Sequence, residues 1–564
     1  MIQIGIHNTG YFSSAAICID NNIVYASAQE RHSRIKFDNQ FPFKSIEAGL
    51  KQNSLSWDDI DEFLIAWNPS INASERFRAG FSRWVAHPMQ RLYSNINAIL
   101  PKLCAKDITQ TEQIIQFDSR KPLKIKYINH HYAHIGMSYY TSGFDDSAIF
   151  IADGYGENST TVFANAKNGS VEILKEIKFP HSLGMFYAAF TEFLGFEPEQ
   201  DEWKVMGAAA YGDFNKYADC VRKTIISAED GNFELDLNYF SFYNYDTNGY
   251  FSDKMISLLG EPENFWHNQQ ELYDLAASVQ FIFEEVTSKM LSWLHTITNS
   301  KYLCLGGGTA MNCLFNGKVE AMTPFKNVYI PFAPDDIGNA IGALLWNNKT
   351  FKNNLSPYSG EIFCSTQIEN TLNSYKIKYQ KLEWEDLFDE VSNLLQNGKI
   401  IGWFQGGSEY GQRALGNRSI LADPRQANMK DTVNSAIKYR EAFRPFAPAV
   451  LHEHGMEYFE EYKYTPFMER ILNFKQDKQA KVAAVVHADG TGRLQSVSKE
   501  NNPKFYSLIL AFSQKTGVPI LLNTSFNIAG EPIVYSPTDA IKTFFSSGLD
   551  ALVLENFLIM KEDI

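Results

Sequence analysis

The feature that most constrains the fold is a run of three short strands that occurs twice in the sequence. Apolar, β-rich segments interrupted by Gly, Asn and Asp turns are typical of β-meanders. The predicted strands are 2–6, 14–20 and 23–28 in the first copy, and 148–152, 160–164 and 171–177 in the second. In both copies a polar loop follows the first strand. Two such meanders in one chain predict a duplicated fold.

A long helix and a glycine-rich turn follow the second meander. Apolar side chains recur at helical spacing from Leu272 to Leu294, which predicts an amphipathic helix. A strand over 302–305 leads into the triple glycine 306–308, and a second helical stretch is predicted from Ala310. Main-chain N–H groups at such a turn favour a nucleotide or phosphate. The paired meanders and this turn resemble the actin/hexokinase (ASKHA) superfold.

Length and composition predict two folded domains of an enzyme. A chain of 564 residues exceeds what one hydrophobic core usually serves. Asn, Lys, Ser and Pro interrupt the apolar pattern over 347–358, so the predicted domains are 1–352, ASKHA-like, and 353–564, also α/β. With 45% hydrophobic and 21% charged residues, the composition gives no case for disorder.

The charge and the cysteines narrow the function classes. A net charge of -14 argues against a nucleic-acid partner. The six cysteines form no C-x-x-C pair, which argues against a zinc ribbon and a disulfide framework. Neither a signal peptide nor a run of about 20 apolar residues is present, so we expect a cytoplasmic protein without a membrane partner.

Two histidines and two aspartates form the first candidate site. His130 and His134 are four residues apart, one helical turn, so both imidazoles can face one metal ion. Asp153 opens the turn after a predicted strand, and Asp336 follows the apolar residues 328–330. Two imidazoles with carboxylates suit iron or another first-row metal. Taken singly, each motif also fits an ordinary surface or core histidine and an ordinary turn aspartate.

A cationic segment forms the second candidate site. Between residues 413 and 444 the chain carries a net charge of +4 within an acidic protein. The charged residues are Arg413, Arg418, Arg425, Lys430, Lys438, Arg440 and Arg444, against Asp423, Asp431 and Glu441. Guanidinium groups bind phosphate oxygens in pairs, which favours a phosphate ligand, although a solvated helix face is the alternative. Asn523 and Ser525 add amide and hydroxyl groups at a strand end.

These motifs resemble the O-carbamoyltransferases of the NodU/CmcH group, which includes the tobramycin carbamoyltransferase. The resemblance covers the whole chain. In the first domain it rests on His130-His131-Tyr132-Ala133-His134, Asp153-Gly154-Tyr155-Gly156-Glu157, Lys204-Val205-Met206-Gly207 and Gly306-Gly307-Gly308. In the second it rests on Arg413-Ala414-Leu415-Gly416-Asn417-Arg418-Ser419, Phe443-Arg444-Pro445-Phe446-Ala447-Pro448 and Leu522-Asn523-Thr524-Ser525-Phe526-Asn527.

The resemblance implies a reaction divided between two domains. The second would be YrdC-like and would form carbamoyladenylate and pyrophosphate from carbamoyl phosphate and Mg²⁺-ATP. The first would pass the carbamoyl group to a hydroxyl of a small molecule, such as a natural product under biosynthesis, and release AMP. The motifs identify neither that acceptor nor the oligomeric state.

The resemblance also implies roles for individual residues. The metal ligands, for Fe(II) by resemblance, would be His130, His134, Asp153 and Asp336. Carbamoyl phosphate and ATP would contact Arg413, Arg418, Lys438, Arg444, Arg493, Asn523 and Ser525. The adenylate would contact Gly307, Gly308 and Asn312, and the catalytic candidates are His7, Tyr11, His131 and Lys204.

One position departs from the family pattern, and two other reaction classes stay open. Members often carry a histidine before the Ser-Ala-Ala of the first meander, where this chain has Tyr11. A neutral tyrosine is a poor base near pH 7, and His7 is either its substitute or a buried strand residue. The alternatives are an actin-like small-molecule kinase, which would release ADP, and a carbamoyl transfer that modifies tRNA.

Overall fold

The computed structural model divides into two compact units. The described residues are 1–10, 12–69, 71, 110–117, 121–244, 249–349, 355–438, 444 and 446–561. The first unit consists of Met1–Val24, Asn39–Pro42 and Asn53–Leu355. The second consists of Tyr25–Asp38, Phe43–Gln52 and Ser356–Ile564. The predicted boundary at 352/353, Tyr11, Arg440 and Glu441 lie outside the described residues.

Thirteen strands precede residue 350 among the described residues. They are β1 (Ile2–His7), β2 (Ser14–Ile19), β3 (Asn22–Ala28), β4 (Glu62–Ile65), β5 (Gln110–Ile115), β6 (Leu123–Ile128), β7 (Ser147–Ala152), β8 (Ser159–Lys167), β9 (Ser170–Lys178), β10 (Ile225–Ser227), β11 (Glu234–Leu235), β12 (Tyr302–Gly306) and β13 (Asn327–Tyr329). The strands of both predicted meanders are present, and their ends differ from the predicted ones by no more than three residues.

The two main sheets of the first unit share the order of five strands, and the first sheet has β5 as a sixth. One sheet runs β3-β2-β1-β4-β6-β5 and the other β9-β8-β7-β12-β13. In each, the first strand of the meander pairs antiparallel with the second strand and parallel with a later one, β4 or β12. That later strand pairs parallel with the next, β6 or β13. This repeated order makes the first unit a duplicated ASKHA-like domain, which confirms the predicted fold class.

Helices connect these strands and cover the sheets. Two follow β3, namely α1 (Gln29–Ser33) and α2 (Phe43–Gln52). The others before residue 350 are α3 (His130–Tyr139), α4 (Leu183–Phe193), α5 (Glu202–Ala208), α6 (Ala218–Arg222), α7 (Asp253–Leu259), α8 (Glu263–Trp266), α9 (Gln269–Thr298), α10 (Cys313–Asn316), α11 (Val319–Met322) and α12 (Asn339–Asn348). The long predicted helix is α9, whose first N–H groups are capped by the Asn268 side chain.

The helical stretch predicted from Ala310 is broken into short pieces. A 3₁₀ turn covers Gly308–Met311, and α10 and α11 have four residues each. The side chain of Asn312 accepts the N–H of Phe315, so it ends the turn and begins α10. Local capping therefore overrides the apolar periodicity here.

The second unit is built on one mixed sheet. Its strands are β14 (Gln380–Lys381), β15 (Ile401–Phe404), β16 (Arg418–Ala422), β17 (Ala447–Leu451), β18 (Leu472–Asn473), β19 (Thr491–Gly492), β20 (Gln495–Val497), β21 (Ile520–Ser525), β22 (Ala551–Leu554) and β23 (Phe557–Met560). Eight of them form the order β14-β23-β22-β15-β16-β21-β17-β20. Its central strands are fully buried and form the core with Trp403, Phe512 and Phe544.

Helices and turns complete the second unit. The helices are α13 (Ser365–Ser374), α14 (Trp384–Gln396), α15 (Met429–Val433), α16 (Gly455–Tyr458), α17 (Gln476–Gln479), α18 (Pro503–Thr516) and α19 (Pro537–Phe545). A π-helical turn spans Asn434–Lys438. The second unit also has 3₁₀ turns at His452–His454 and Ala483–Val485, and the remaining 3₁₀ turns, in the first unit, are Trp57–Asp59, Ala209–Tyr211, Phe214–Lys216, Leu237–Tyr239 and Asp336–Gly338. No helix among the described residues combines the length and apolarity needed to cross a bilayer.

A segment from the N-terminal part of the chain belongs to the second unit. This segment, 25–38 with 43–52, is called the exchanged segment below. Arg31, only 2% exposed, donates through Nη2 to the Gly411 carbonyl at 2.8 Å. Arg34 donates to the carbonyls of Pro532 and Ile533, at 2.9 and 2.6 Å. The predicted ranges 1–352 and 353–564 did not include this exchange.

Candidate metal centre and cationic site

The four predicted metal ligands converge in the first unit. One ligand atom from each of His130, His134, Asp153 and Asp336 lies within 4.8 Å of the others. Asp153 Oδ2 is 3.1 Å from Nε2 of His130 and 2.9 Å from Nε2 of His134. Asp336 Oδ1 is 3.3 and 3.2 Å from the same two nitrogens. The two imidazoles and two carboxylates thus face one shared space, in which a single metal ion could contact all four.

The local structure explains why the two histidines point together. Asn129 caps α3 by accepting the N–H of Tyr132, so His130 begins the helix and His134 lies one turn later. Glu157 Oε1 accepts the main-chain N–H of His130 at 2.9 Å and fixes the start of that turn. Helix start and spacing together orient both rings.

Asp153 is oriented by main-chain donors at the ends of two parallel strands. It follows β7, and the triple glycine 306–308 begins at the last residue of the neighbouring β12. Its Oδ1 accepts the N–H groups of Gly154 and Gly308, at 2.9 and 3.1 Å. Because Oδ1 is held in this way, Oδ2 faces the histidines. Side chains at the carboxyl ends of parallel strands commonly build sites in this manner.

The cluster concentrates charge inside the protein. Burial lowers the pKa of His130, but the carboxylates of Asp336 and Asp153 outweigh it and raise that pKa well above its usual value. Burial raises the pKa of Asp336, yet His130 and His7 hold it well below the ordinary value. A divalent cation would supply the positive charge that these carboxylates require. The N/O donor set fits a first-row metal and does not select iron among them.

The other catalytic candidates of the first unit lie in different environments. His7 is fully buried, with Nε2 3.3 Å from Asp336 Oδ2. His131 follows His130 but is buried away from solvent, and this burial, followed by the charge of His130, lowers its pKa to about 3. Lys204 donates to Asp201 at 2.7 Å. Tyr11 lies outside the described residues, and all four roles stay predictions.

Two of the three predicted adenylate residues, Gly307 and Gly308, adjoin the His/Asp cluster. Gly307 has a φ of +84°, and a Cβ there would lie 2.2 Å from the carbonyl oxygen of Ala152. Only glycine fits this close approach to β7. Gly308 donates to Asp153, whereas Asn312 pairs with Gln280 in both directions, at 2.9 and 3.1 Å. The two glycines therefore border the His/Asp cluster.

In the second unit, the predicted phosphate ligands have different exposures. Arg413, Arg444 and Arg493 are partly buried. Lys438 is 4% exposed, and its ammonium donates to the carbonyls of Ser525 and Asn527, at 2.6 and 2.9 Å. A lysine and two polar residues thus meet at the end of β21.

Arg418 serves the fold of the second unit. It is 0% exposed, and its guanidinium lies 3.5 Å from the ring centre of Phe404. Nη1 donates to the carbonyl of Gln405 at 2.5 Å, and Nη2 donates to that of Gly406 at 3.1 Å. These contacts use the guanidinium for packing and main-chain hydrogen bonds, so we leave Arg418 out of the proposed ligand set below.

Two buried glutamates were given no role from the sequence. Glu157 orients His130, as described above. Glu409 Oε1 accepts the N–H groups of Leu415, Asn417 and Arg418, at 2.7, 2.9 and 3.1 Å. This one carboxylate therefore shapes the loop that follows Arg413. Glu157 is the last residue of the Asp153–Glu157 motif. The sequence of that turn does not show which main-chain N–H groups the carboxylate will accept.

A duplicated ASKHA-like unit with a His/Asp cluster and a second α/β unit make this a two-unit α/β protein. Two family models match the chain, Carbamoyltransferase N-terminus over residues 3–345 and Carbamoyltransferase C-terminus over residues 392–561. The chain belongs to this carbamoyltransferase family and is accordingly a transferase. The predicted resemblance is thereby confirmed.

Similar proteins span nearly the whole chain. The uncharacterized protein sll1178 of Synechocystis is 34% identical over 99% of this chain and 96% of its own length. Nodulation protein NolNO of Sinorhizobium fredii is 33% identical over 99% of this chain and 80% of its own length. A solved structure, the activator of the 2-hydroxyisocaproyl-CoA dehydratase from Clostridium difficile, covers 62% of this chain and 96% of its own at 12% identity and a TM-score of 0.32. The fold assignment rests on the strand orders given above.

Proposed function

We propose that the protein is an ATP-dependent O-carbamoyltransferase that uses carbamoyl phosphate. The observation that carries this proposal is the convergence of His130, His134, Asp153 and Asp336 in one unit, with a separate cationic set in the other. Membership of the carbamoyltransferase family indicates that the group transferred is a carbamoyl group. Two separate sites suit a reaction in two steps, activation and transfer.

Activation belongs to the second unit in this proposal. Arg413, Lys438, Arg444 and Arg493 would neutralise the phosphates of carbamoyl phosphate and Mg²⁺-ATP, with Asn523 and Ser525 beside them. Charge neutralisation lets an anionic oxygen approach the α-phosphorus. Carbamoyl phosphate, ATP and water then give carbamoyladenylate, phosphate and pyrophosphate. Water first breaks the bond between the carbamoyl and phosphate groups of carbamoyl phosphate, which releases phosphate and leaves carbamate. The P–O bond between the α- and β-phosphates of ATP then breaks as the bond from the carbamate oxygen to the α-phosphorus forms.

Transfer belongs to the first unit. The acceptor hydroxyl oxygen attacks the carbamoyl carbon, and the bond from that carbon to AMP breaks. Gly307, Gly308 and Asn312 would hold the adenylate, and Tyr11 or His7 would take the hydroxyl proton. A divalent first-row metal held by the His/Asp cluster, Fe(II) by resemblance, would polarise the carbamoyl oxygen. The acceptor is proposed to be a hydroxylated small molecule.

The first test separates activation from other uses of ATP. Purified protein receives ATP and carbamoyl phosphate without acceptor, and pyrophosphate, phosphate, AMP and ADP are quantified. We expect one pyrophosphate and one phosphate per carbamoyladenylate, with AMP appearing when hydroxylated metabolites are added. Each product should gain the mass of a carbamoyl group in place of hydrogen. ADP together with a phosphorylated metabolite would identify a kinase instead.

Variants then test the division between the two units. Arg444→Ala should abolish pyrophosphate release, whereas His130→Ala should retain it and stop transfer, because each removes a group from only one site. Arg425→Ala is the matched control for the first, since Arg425 pairs with Asp423. His454→Ala, at a partly exposed histidine paired with Glu457, is the control for the second and for metal content. Equal loss of both half-reactions in His130→Ala would contradict the division.

A further inference from the structure

A tight turn in the second unit fixes the ring of His487. The main-chain N–H of His487 donates to the Thr491 carbonyl at 2.8 Å, and the Gly490 N–H donates to the His487 carbonyl at 3.0 Å. The hydroxyl of Thr491 lies 3.0 Å from His487 Nδ1 and donates to Asp489 Oδ1 at 2.7 Å. The sequence motifs gave His487 no role.

These hydrogen bonds select one tautomer of the imidazole. The Thr491 hydroxyl has a single proton, and the Asp489 carboxylate can only accept it. Towards His487 the hydroxyl oxygen must therefore act as the acceptor, so Nδ1 carries the ring proton. In neutral imidazole only one nitrogen is protonated. The Nε2 atom of His487 therefore carries no proton, and its lone pair is a hydrogen-bond acceptor.

That lone pair is buried and lacks a donor within the described part of the chain. His487 Nε2 makes no hydrogen bond with any described residue. Burial, and then the charges of Arg493 and Lys430, lower the pKa of His487 to about 4 despite Asp489. The ring is neutral near pH 7, and its Nε2 does not supply a proton of its own. A buried acceptor without a donor is costly, which points to a ligand N–H or O–H.

Neighbouring residues connect this turn to the cationic site. Arg493, a proposed phosphate ligand, lies two residues after Thr491, and its Nε is buried without a hydrogen bond to described residues. Two residues further, Gln495 Oε1 accepts from Nδ2 of Asn523 at 2.9 Å, and Asn523 Oδ1 is likewise without a donor among described residues. A ligand of this region therefore needs N–H donors together with an anionic part. Carbamoyl phosphate has both.

We propose that His487 Nε2 accepts an N–H of the carbamoyl group and makes the second unit select carbamoyl phosphate over acetyl phosphate. The two compounds differ by NH₂ against CH₃ and are nearly equal in shape. A methyl group offers no donor, so bound acetyl phosphate leaves the Nε2 lone pair unpaired. Sites built around a substrate N–H reject the analogue that lacks it far better than apolar pockets reject a missing methylene. The inference rests on the proposed function.

The experiment compares kcat/KM for pyrophosphate release with carbamoyl phosphate and with acetyl phosphate in the full chain. In the wild type we expect a preference of at least about 100-fold for carbamoyl phosphate. His487→Leu should lower that ratio by about 10-fold or more, through loss on carbamoyl phosphate with acetyl phosphate unchanged. His487→Gln, whose Oε1 can replace the Nε2 acceptor, should keep most of it.

A second variant guards against loss of folding. Thr491→Val leaves His487 in place and removes the hydroxyl that selects the tautomer, so the ratio should fall by a smaller factor while the melting temperature stays near that of the wild type. An equal loss on both substrates in His487→Leu, or an unchanged ratio in both variants, would overturn the proposal. Wild-type protein that releases no pyrophosphate from either substrate would instead refute the proposed function.

Discussion

Two arginines five positions apart, Arg413 and Arg418, differ in burial, and we propose different roles for them. Arg413 is partly buried, whereas Arg418 is 0% exposed and donates to main-chain carbonyls. Both arginines belong to the same cationic segment of the sequence, residues 413–444. The pattern shows that positive charge is concentrated there, but it does not show which guanidinium the fold uses for itself.

Arg418→Ala should destabilise the second unit, while Arg413→Ala should not. Removing the Arg418 guanidinium leaves the carbonyls of Gln405 and Gly406 without donors, at a cost of about 3 kcal/mol. Arg413→Ala should change the free energy of unfolding by about 0.5 kcal/mol or less and still abolish pyrophosphate release. Urea denaturation together with the pyrophosphate assay distinguishes them. A stable but inactive Arg418→Ala protein would return Arg418 to the ligand set.

Residue-level prediction worked best where short-range geometry decides. The four-residue spacing of His130 and His134 is sufficient to place them on one helix face, and the structure brings Asp153 and Asp336 to them. Glu157 accepts the main-chain N–H of His130, a contact that forms only when the fold brings these distant residues together. The spacing of residues in the sequence therefore could not predict it.

At the scale of elements, α3 and α12 approach each other backbone to backbone, and α3 carries two residues of the His/Asp cluster. A Cβ on Gly136 of α3 would lie 2.1 Å from the carbonyl oxygen of Gly342. A Cβ on Gly342 would lie 2.0 Å from that of Ala133. Glycine on both helices therefore permits backbone contact, and α3 carries two of the proposed ligands.

Gly136→Ala should lower the stability of the first unit and its metal affinity. Alanine gains about 1 kcal/mol of helix propensity over glycine. That gain is smaller than the cost of pushing two backbones apart, since overpacking costs about 1–3 kcal/mol even where side chains can adjust. Thermal unfolding and metal titration measure both effects. Gly530→Ala is the control, because its Cβ would meet nothing within 4 Å, although its φ of +81° adds backbone strain.

An increase in stability for Gly136→Ala, with unchanged metal affinity, would contradict the close approach of the two helices.

Elements with a strong pattern were predicted well, and those set by packing were not. Both meanders and α9 follow from alternation and helical periodicity. The broken helix after Ala310 depends on the capping by Asn312, which competes with a continuing apolar pattern. The sequence did not predict that α1 and α2 belong to the second unit. Contacts between segments far apart in the chain leave no periodic pattern of apolar residues.

For the whole molecule, the exchanged segment means that the second unit is not a contiguous stretch of chain. Arg31, Arg34, Ala26 and Gln52 exchange hydrogen bonds with groups beyond residue 355. Five such bonds at about 0.5–1.5 kcal/mol each are comparable to the 5–15 kcal/mol that stabilises a typical domain.

A fragment of residues 356–564 should therefore be unstable without the exchanged segment. We expect it to show no cooperative urea transition, and we expect residues 25–52 joined to its N-terminus through a Gly/Ser linker to restore one. The same linked fragment with Arg31→Ala should be intermediate, since the Gly411 carbonyl then lacks its donor. Identical unfolding curves for the bare and linked fragments would show that the segment adds no stability.

The exchanged segment also sets an order of events during synthesis. Residue 52 is synthesised more than 500 residues before residue 564. At about 5–20 residues per second, the segment waits on the order of half a minute or longer for its partners. Throughout that interval the apolar side chains of Tyr25, Ile46 and Leu50, buried in the finished protein, have no completed unit to cover them. Newly made chains of this protein are thus natural clients for chaperones that hold exposed apolar segments until translation ends.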